Sequence, residues 1–125
     1  MVKYWALGNN IQPRWRYLVV CDSGIDYASD ISRGIMITGS TQASTGCYAG
    51  VTIQLQKYIA SCDCWVNVPT YCWDAYAEDS YAEIFEDNIS LSTGTYRCQL
   101  VYTAYDTDGF ELESFAANSN EITVR

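Results

Sequence analysis

The chain has 125 residues, 49% of them hydrophobic and 18% charged, with a net charge of -8 and no histidine. That length suits one globular domain with a real core and excludes a disordered chain. So acidic a surface repels phosphate backbones and anionic bilayers, which excludes a nucleic-acid partner.

No stretch of about 18 apolar residues is present, so no membrane span is expected. The opening "MVKYWALGNN" has too short an apolar run for a signal peptide. Residues 1–14 read as an N-terminal arm of a single domain spanning 1–125. Residues 15–21, "WRYLVVC", form a β-prone run, and 22–32, "DSGIDYASDIS", read as turns. In 33–44 Ile35, Ile37 and Gly39 share one face. In 50–58 Val51, Ile53 and Leu55 alternate with Thr52, Gln54 and Gln56, as in a half-buried strand.

Residues 64–71 alternate too, and Pro69 marks that strand as an edge because it cannot donate to a ladder. Residues 73–90 carry six carboxylates and no base, so a helix gains little there. The expectation is a loop, then a strand from about Tyr81 to Leu91. Residues 95–106 read as a long strand with Tyr96, Cys98, Leu100 and Tyr102 on one face. Asp108-Gly109 then signals a hairpin into a last strand. The fold class expected is all-β: an antiparallel sandwich of about seven strands, immunoglobulin or fibronectin-III-like and stapled by disulfides.

Six cysteines without histidine point away from zinc and toward three disulfides in an oxidising compartment, hence a secreted, extracellular protein. With a hairpin turn centred between Ile59 and Ala60, Cys47 faces Cys72 and Leu55 faces Cys64. A Cys47–Cys72 bridge there is worth roughly 3–4 kcal/mol in the loop-entropy picture. Cys62 and Cys64 are not expected to pair with each other. Cys98 is placed within reach of one of them, and Cys21 remains. A reduced chain is the alternative.

Without histidine, Ser–His and Cys–His nucleophiles are excluded. Glu78, Asp79, Glu83, Glu86 and Asp87 read as a solvated face rather than a glycosidase pair. Asp106-Thr-Asp108-Gly109 has part of a calcium loop, but the position two residues earlier is Ala104, so a hairpin turn is expected instead. No metal or cofactor is expected.

Two resemblances bear on the fold. "GTYRC", Gly94 to Cys98, looks like the tyrosine corner of an immunoglobulin or fibronectin sandwich, with the Tyr96 hydroxyl turned back to the backbone. The strand read at 33–44 holds no cysteine, so Cys98 is not expected to form an immunoglobulin bridge. A wider pattern covers most of the chain: Ile11-Gln-Pro-Arg14-Trp15 with Tyr17, Gly39-Ser-Thr41 with Ala43, Val51 to Lys57, Trp65 to Val68, Gly94 to Arg97, and Glu113-Ser114. In order and spacing it resembles a family of small secreted proteins of Gram-positive gut anaerobes. That resemblance implies an exported β-sandwich and brings no activity or catalytic residues with it.

The aromatic count exceeds what one small core needs: Tyr4, Trp5, Trp15, Tyr17, Tyr48, Tyr58, Tyr71, Trp73, Tyr76 and Tyr81 are in surplus. Tyr and Trp give rigid contact area at low entropy cost. Their plainer use is to cover the open sides of the two sheets. Three functions follow: a non-catalytic binding or adhesion module for a cell-surface or host protein, a carbohydrate-binding module, or a subunit that self-associates through an edge strand. The residues expected to bind are Trp65, Tyr71, Trp73 and Tyr76.

Overall fold

A computed structural model describes residues 15–27 and 34–125; the expected arm, 1–14, lies outside the described residues. Seven strands follow one another: β1 (Leu18–Tyr27), β2 (Ile35–Ala43), β3 (Tyr48–Ile59), β4 (Cys64–Ala77), β5 (Tyr81–Ile89), β6 (Gly94–Tyr105) and β7 (Glu111–Val124). They form a three-stranded sheet, β1-β2-β5, and a four-stranded sheet, β4-β3-β6-β7, with every neighbouring pair antiparallel. The fourth strand joins the sheet of strands three, six and seven, a fibronectin-like choice that constant-type immunoglobulin domains do not make.

The core follows the alternation read in the sequence. Ile35 and Ile37 of β2 face Val51, Ile53 and Leu55 of β3 and Tyr96, Cys98, Leu100 and Tyr102 of β6, all buried. Burying each large apolar side chain contributes about 1.5–3 kcal/mol. Gly39 sits among them because side chains of the opposite sheet fill the space over its Cα. A Cβ at that position would come within 2.8 Å of both Ile53 Cδ1 and Leu100 Cδ2. The tyrosine corner forms as expected, the Tyr96 hydroxyl donating to the Ser92 carbonyl at 2.9 Å.

One side of the sandwich is closed by side chains of β7 reaching β1. The Glu113 carboxylate accepts the backbone N–H groups of Arg16, Tyr17 and Leu18 at 2.8–3.1 Å. Nearby, Trp15 packs edge-on against Phe115, ring centroids 4.9 Å apart. The Tyr102 hydroxyl crosses from one sheet to the other and donates to the Asp22 carbonyl.

Three expectations require correction. Asp22 to Tyr27 are not turn residues: they continue β1, paired with Ser40 down to Ile35, and Ile25 is buried. Residues 73–77 are not loop but the end of β4, with Ala75 and Ala77 paired to Val51 and Ala49. The hairpin register also differs. Ile59 pairs with Cys64, so the turn takes Ala60 to Asp63, and Gln54 pairs with Cys72 while Gln56 pairs with Asn67. The residues around Pro69 bulge out of the ladder, on an edge strand as expected. Gln54 Nε2 donates to the carbonyls of Leu55, Val68 and Tyr71 across that bulge, replacing ladder bonds the strand lost.

The cysteines follow from this register. Cys47 and Cys72 do not meet, and both are free thiols, as are Cys21 and Cys98. Leu55 pairs with Cys98 of β6 rather than facing Cys64. Cys62 and Cys64 do pair, as the one disulfide among the described residues, Cα atoms 5.2 Å apart. The backbone makes this possible: Asp63 takes φ of 51°, turning the chain so that both sulfurs fall on the same side. No disulfide joins the two sheets.

Candidate functional site

Alternation along β3, β4 and β6 sends a second set of side chains away from the core, onto the outer face of the four-stranded sheet. Tyr48, Gly50 and Thr52 of β3 lie there, beside Asp74 and Tyr76 of β4 and Val101, Thr103 and Tyr105 of β6. All of these but Tyr48 line a shallow depression of about 220 Å³. Tyr76 is 52% exposed, and its ring stands nearly perpendicular to Tyr48 (centroids 6.3 Å, 80°) and to Tyr105 (5.2 Å, 79°). Desolvation by its surroundings first, then the negative charges of Glu78 and Asp106 beside the neighbouring phenols, pushes the Tyr76 phenol up from its usual range. Thr52 and Asp74 are exposed at the rim, while Thr103 is buried at the floor.

The four residues expected to bind do not form one platform. Trp65 and Tyr76 share the outer face, but they pair with Tyr58 and Gly50, eight residues apart on β3. At the usual rise that is roughly 26 Å. One face of Trp65 is covered by the Arg97 guanidinium, 4.3 Å from the ring centroid, and its neighbour Tyr58 donates to Asp63 Oδ1 at 2.7 Å. Arg97 Nε in turn donates to Gln56 Oε1, and Gln56 Nε2 to Asn67 Oδ1. Trp65 is therefore part of a cross-strand ladder.

Tyr71 and Trp73 point to the inner side. Trp73 pairs with the buried Ile53, and both rings pack on the core, 5.8 Å apart and tilted by 31°. They cover the open side between β4 and β5, the plainer use that the sequence suggested for the surplus aromatics. Tyr4 and Trp5 lie outside the described residues.

Sequence reasoning missed Gly50, Thr52, Asp74, Thr103 and Tyr105 as neighbours of Tyr76. The signal existed in the alternation of each strand, but only the correct register joins it. The turn reading of Asp106 to Gly109 holds. Asp106 Oδ1 accepts the N–H groups of Asp108 and Phe110, both at 2.9 Å, and Gly109 takes φ of 89°. A second depression, about 330 Å³, lies along β1 and β2 at Gly24, Asp26, Met36 and Thr38, beside Asn120 of β7. The Asn120 amide there is already spent on the Ile25 backbone.

No protein-family model, no curated protein and no solved structure matches this chain.

Proposed function

We propose that this chain is an exported, non-catalytic binding module that engages a cell-surface ligand through the outer face of β4-β3-β6-β7. The observation that carries this reading is the cluster of Tyr48, Tyr76 and Tyr105 left at the surface beside Thr52 and Asp74. Rigid aromatic side chains that brace one another and are flanked by polar groups suit recognition, since they give contact area at low entropy cost. Export and a place among the secreted proteins of Gram-positive gut anaerobes rest on the order of the motifs from Ile11 to Ser114.

Self-association through an edge has less to support it. β4 carries the Pro69 bulge, β5 carries Glu83, Glu86 and Asp87, and β1 is tied by side chains to β7; each blunts an edge. The test is flow cytometry of the labelled chain on epithelial and bacterial cells. Saturable binding that Tyr76→Ala abolishes is the expected result. Saturable binding that is indifferent to Tyr76→Ala and Thr52→Arg would remove this face from consideration.

A further inference from the structure

We infer that the depression above Gly50 is a subsite for one ring of a neutral saccharide. This rests on the reading of the outer face as the binding surface and names what the face holds. The Tyr105 ring occupies the space over Gly50: a Cβ at position 50 would lie 2.9 Å from Tyr105 Cε2 and 3.4 Å from its hydroxyl. Only glycine lets that ring settle over the sheet. Tyr76 stands across it at 79°. A ring laid over the strands, with a second as a wall, offers π-surface to the C–H face of a pyranose and fixes its orientation.

The polar complement is alongside. Thr52 and Thr103 carry hydroxyls, and Asp74 a carboxylate; among the described residues none of the three spends its side-chain oxygen on a hydrogen bond within the chain. A carboxylate accepts from two adjacent sugar hydroxyls, and a threonine hydroxyl both donates and accepts. No Lys or Arg lines the depression, and Glu78 and Asp106 lie near Tyr76. Sulfated or acidic sugars and phosphates are therefore repelled. The volume is below the range of pockets that enclose a whole ligand, roughly 300–1,000 Å³. One ring of a longer chain fits better than a free small molecule.

A quaternary ammonium would meet the same rings and the same carboxylate, and Asp74→Asn separates the two. It keeps an accepting oxygen and removes the charge.

The test is an amide-shift titration of the full chain by NMR with neutral gluco-, galacto- and manno-oligosaccharides, a sialylated oligosaccharide and tetramethylammonium. One neutral series should shift Gly50, Thr52 and Thr103. Tyr105→Ala should weaken it roughly tenfold, as loss of an aromatic contact predicts, and Asp74→Asn by less. Gly50→Ala, which displaces the ring without removing it, should weaken it too; each variant's spectrum reports whether it folds. Silence from all three neutral series, tighter binding of the sialylated sugar, or tetramethylammonium binding that Asp74→Asn abolishes would overturn the inference. If cells still bind the chain in a Tyr76-dependent way while sugars do not, the ligand class is wrong and the binding face stands. If cells do not bind at all, the proposed function fails on its own account.

Discussion

Asn120 treats Ile25 as a neighbouring strand would: its Nδ2 donates to the Ile25 carbonyl at 2.7 Å and its Oδ1 accepts the Ile25 N–H at 3.2 Å. One side chain of β7 thus satisfies both backbone groups of a residue in β1, an edge strand of the opposite sheet. Asn120→Ala leaves both groups unmet and should cost about 1–3 kcal/mol in urea denaturation. Asn120→Asp keeps the acceptor only and should fall between. A loss below the error of the extrapolation would show that water replaces the amide at no cost.

Glu113 gives the fold an acid-sensitive anchor. Burial works to raise its pKa, but the N–H groups of Arg16, Leu18 and Tyr17, with the Arg16 charge, hold it below the ordinary 4.5. A depressed folded-state value means the charged form is favoured by folding. Its contribution is full above the unfolded pKa and is lost as pH falls through the folded one. The stability gap between the native chain and Glu113→Gln should be constant from pH 7 to 5 and close below pH ~4. A gap that survives at pH 2 would assign the effect to packing.

The thiols should react in a fixed order. Cys72 is exposed and Cys47 half-buried. Burial pushes Cys21 up to about 11, a rise opposed by its hydrogen bond to Thr41 and aided by the charges of Asp22 and Glu113. Burial likewise pushes Cys98 up to about 12. Since the thiolate is the nucleophile, a maleimide at pH 7 should take Cys72 first and Cys98 last, read by peptide mass mapping. Unreduced, denatured protein should titrate the four free thiols, Cys21, Cys47, Cys72 and Cys98. Fewer would restore a second bridge.

Gly39→Ala tests how closely the sheets meet. The added methyl must displace Ile53 and Leu100, both fully buried. Overpacking of this kind costs about 1–3 kcal/mol. Gly46→Ala is a poor control, because φ of 89° strains any side chain there, although nothing lies within 4 Å of its Cβ.

Where side chains alternate strictly, the sequence was enough. Ile35, Ile37, Val51, Ile53, Leu55, Tyr96 and Leu100 declare their face by spacing alone, because one sheet face is dry and the other wet. Asp22 to Tyr27 could not be read this way. Their composition is that of a turn, and what makes them a strand, β2 on one side and Asn120 on the other, is distant in the chain. The β3–β4 register failed for a related reason. A symmetric turn centred between Ile59 and Ala60 does not form, because the chain spends four residues, Ala60 to Asp63, on the turn and more on the bulge that Gln54 holds. That slip separated Gly50 from Tyr76 and hid the site, although every one of its residues alternates correctly on its own strand.

The lone Cys62–Cys64 link sits at the tip of one hairpin and encloses a single residue. It shortens the unfolded chain by almost nothing, so it removes very little of that chain's entropy. Melting should hardly respond to reductant, and the fold is then as durable in a thiol-rich medium as in an oxidising one. Under tension the consequence is sharper. A molecule held at Leu18 and Val124 has no covalent loop to shelter its strands, so once its first hydrogen-bonded pair parts, nearly the whole contour between those points can be drawn out.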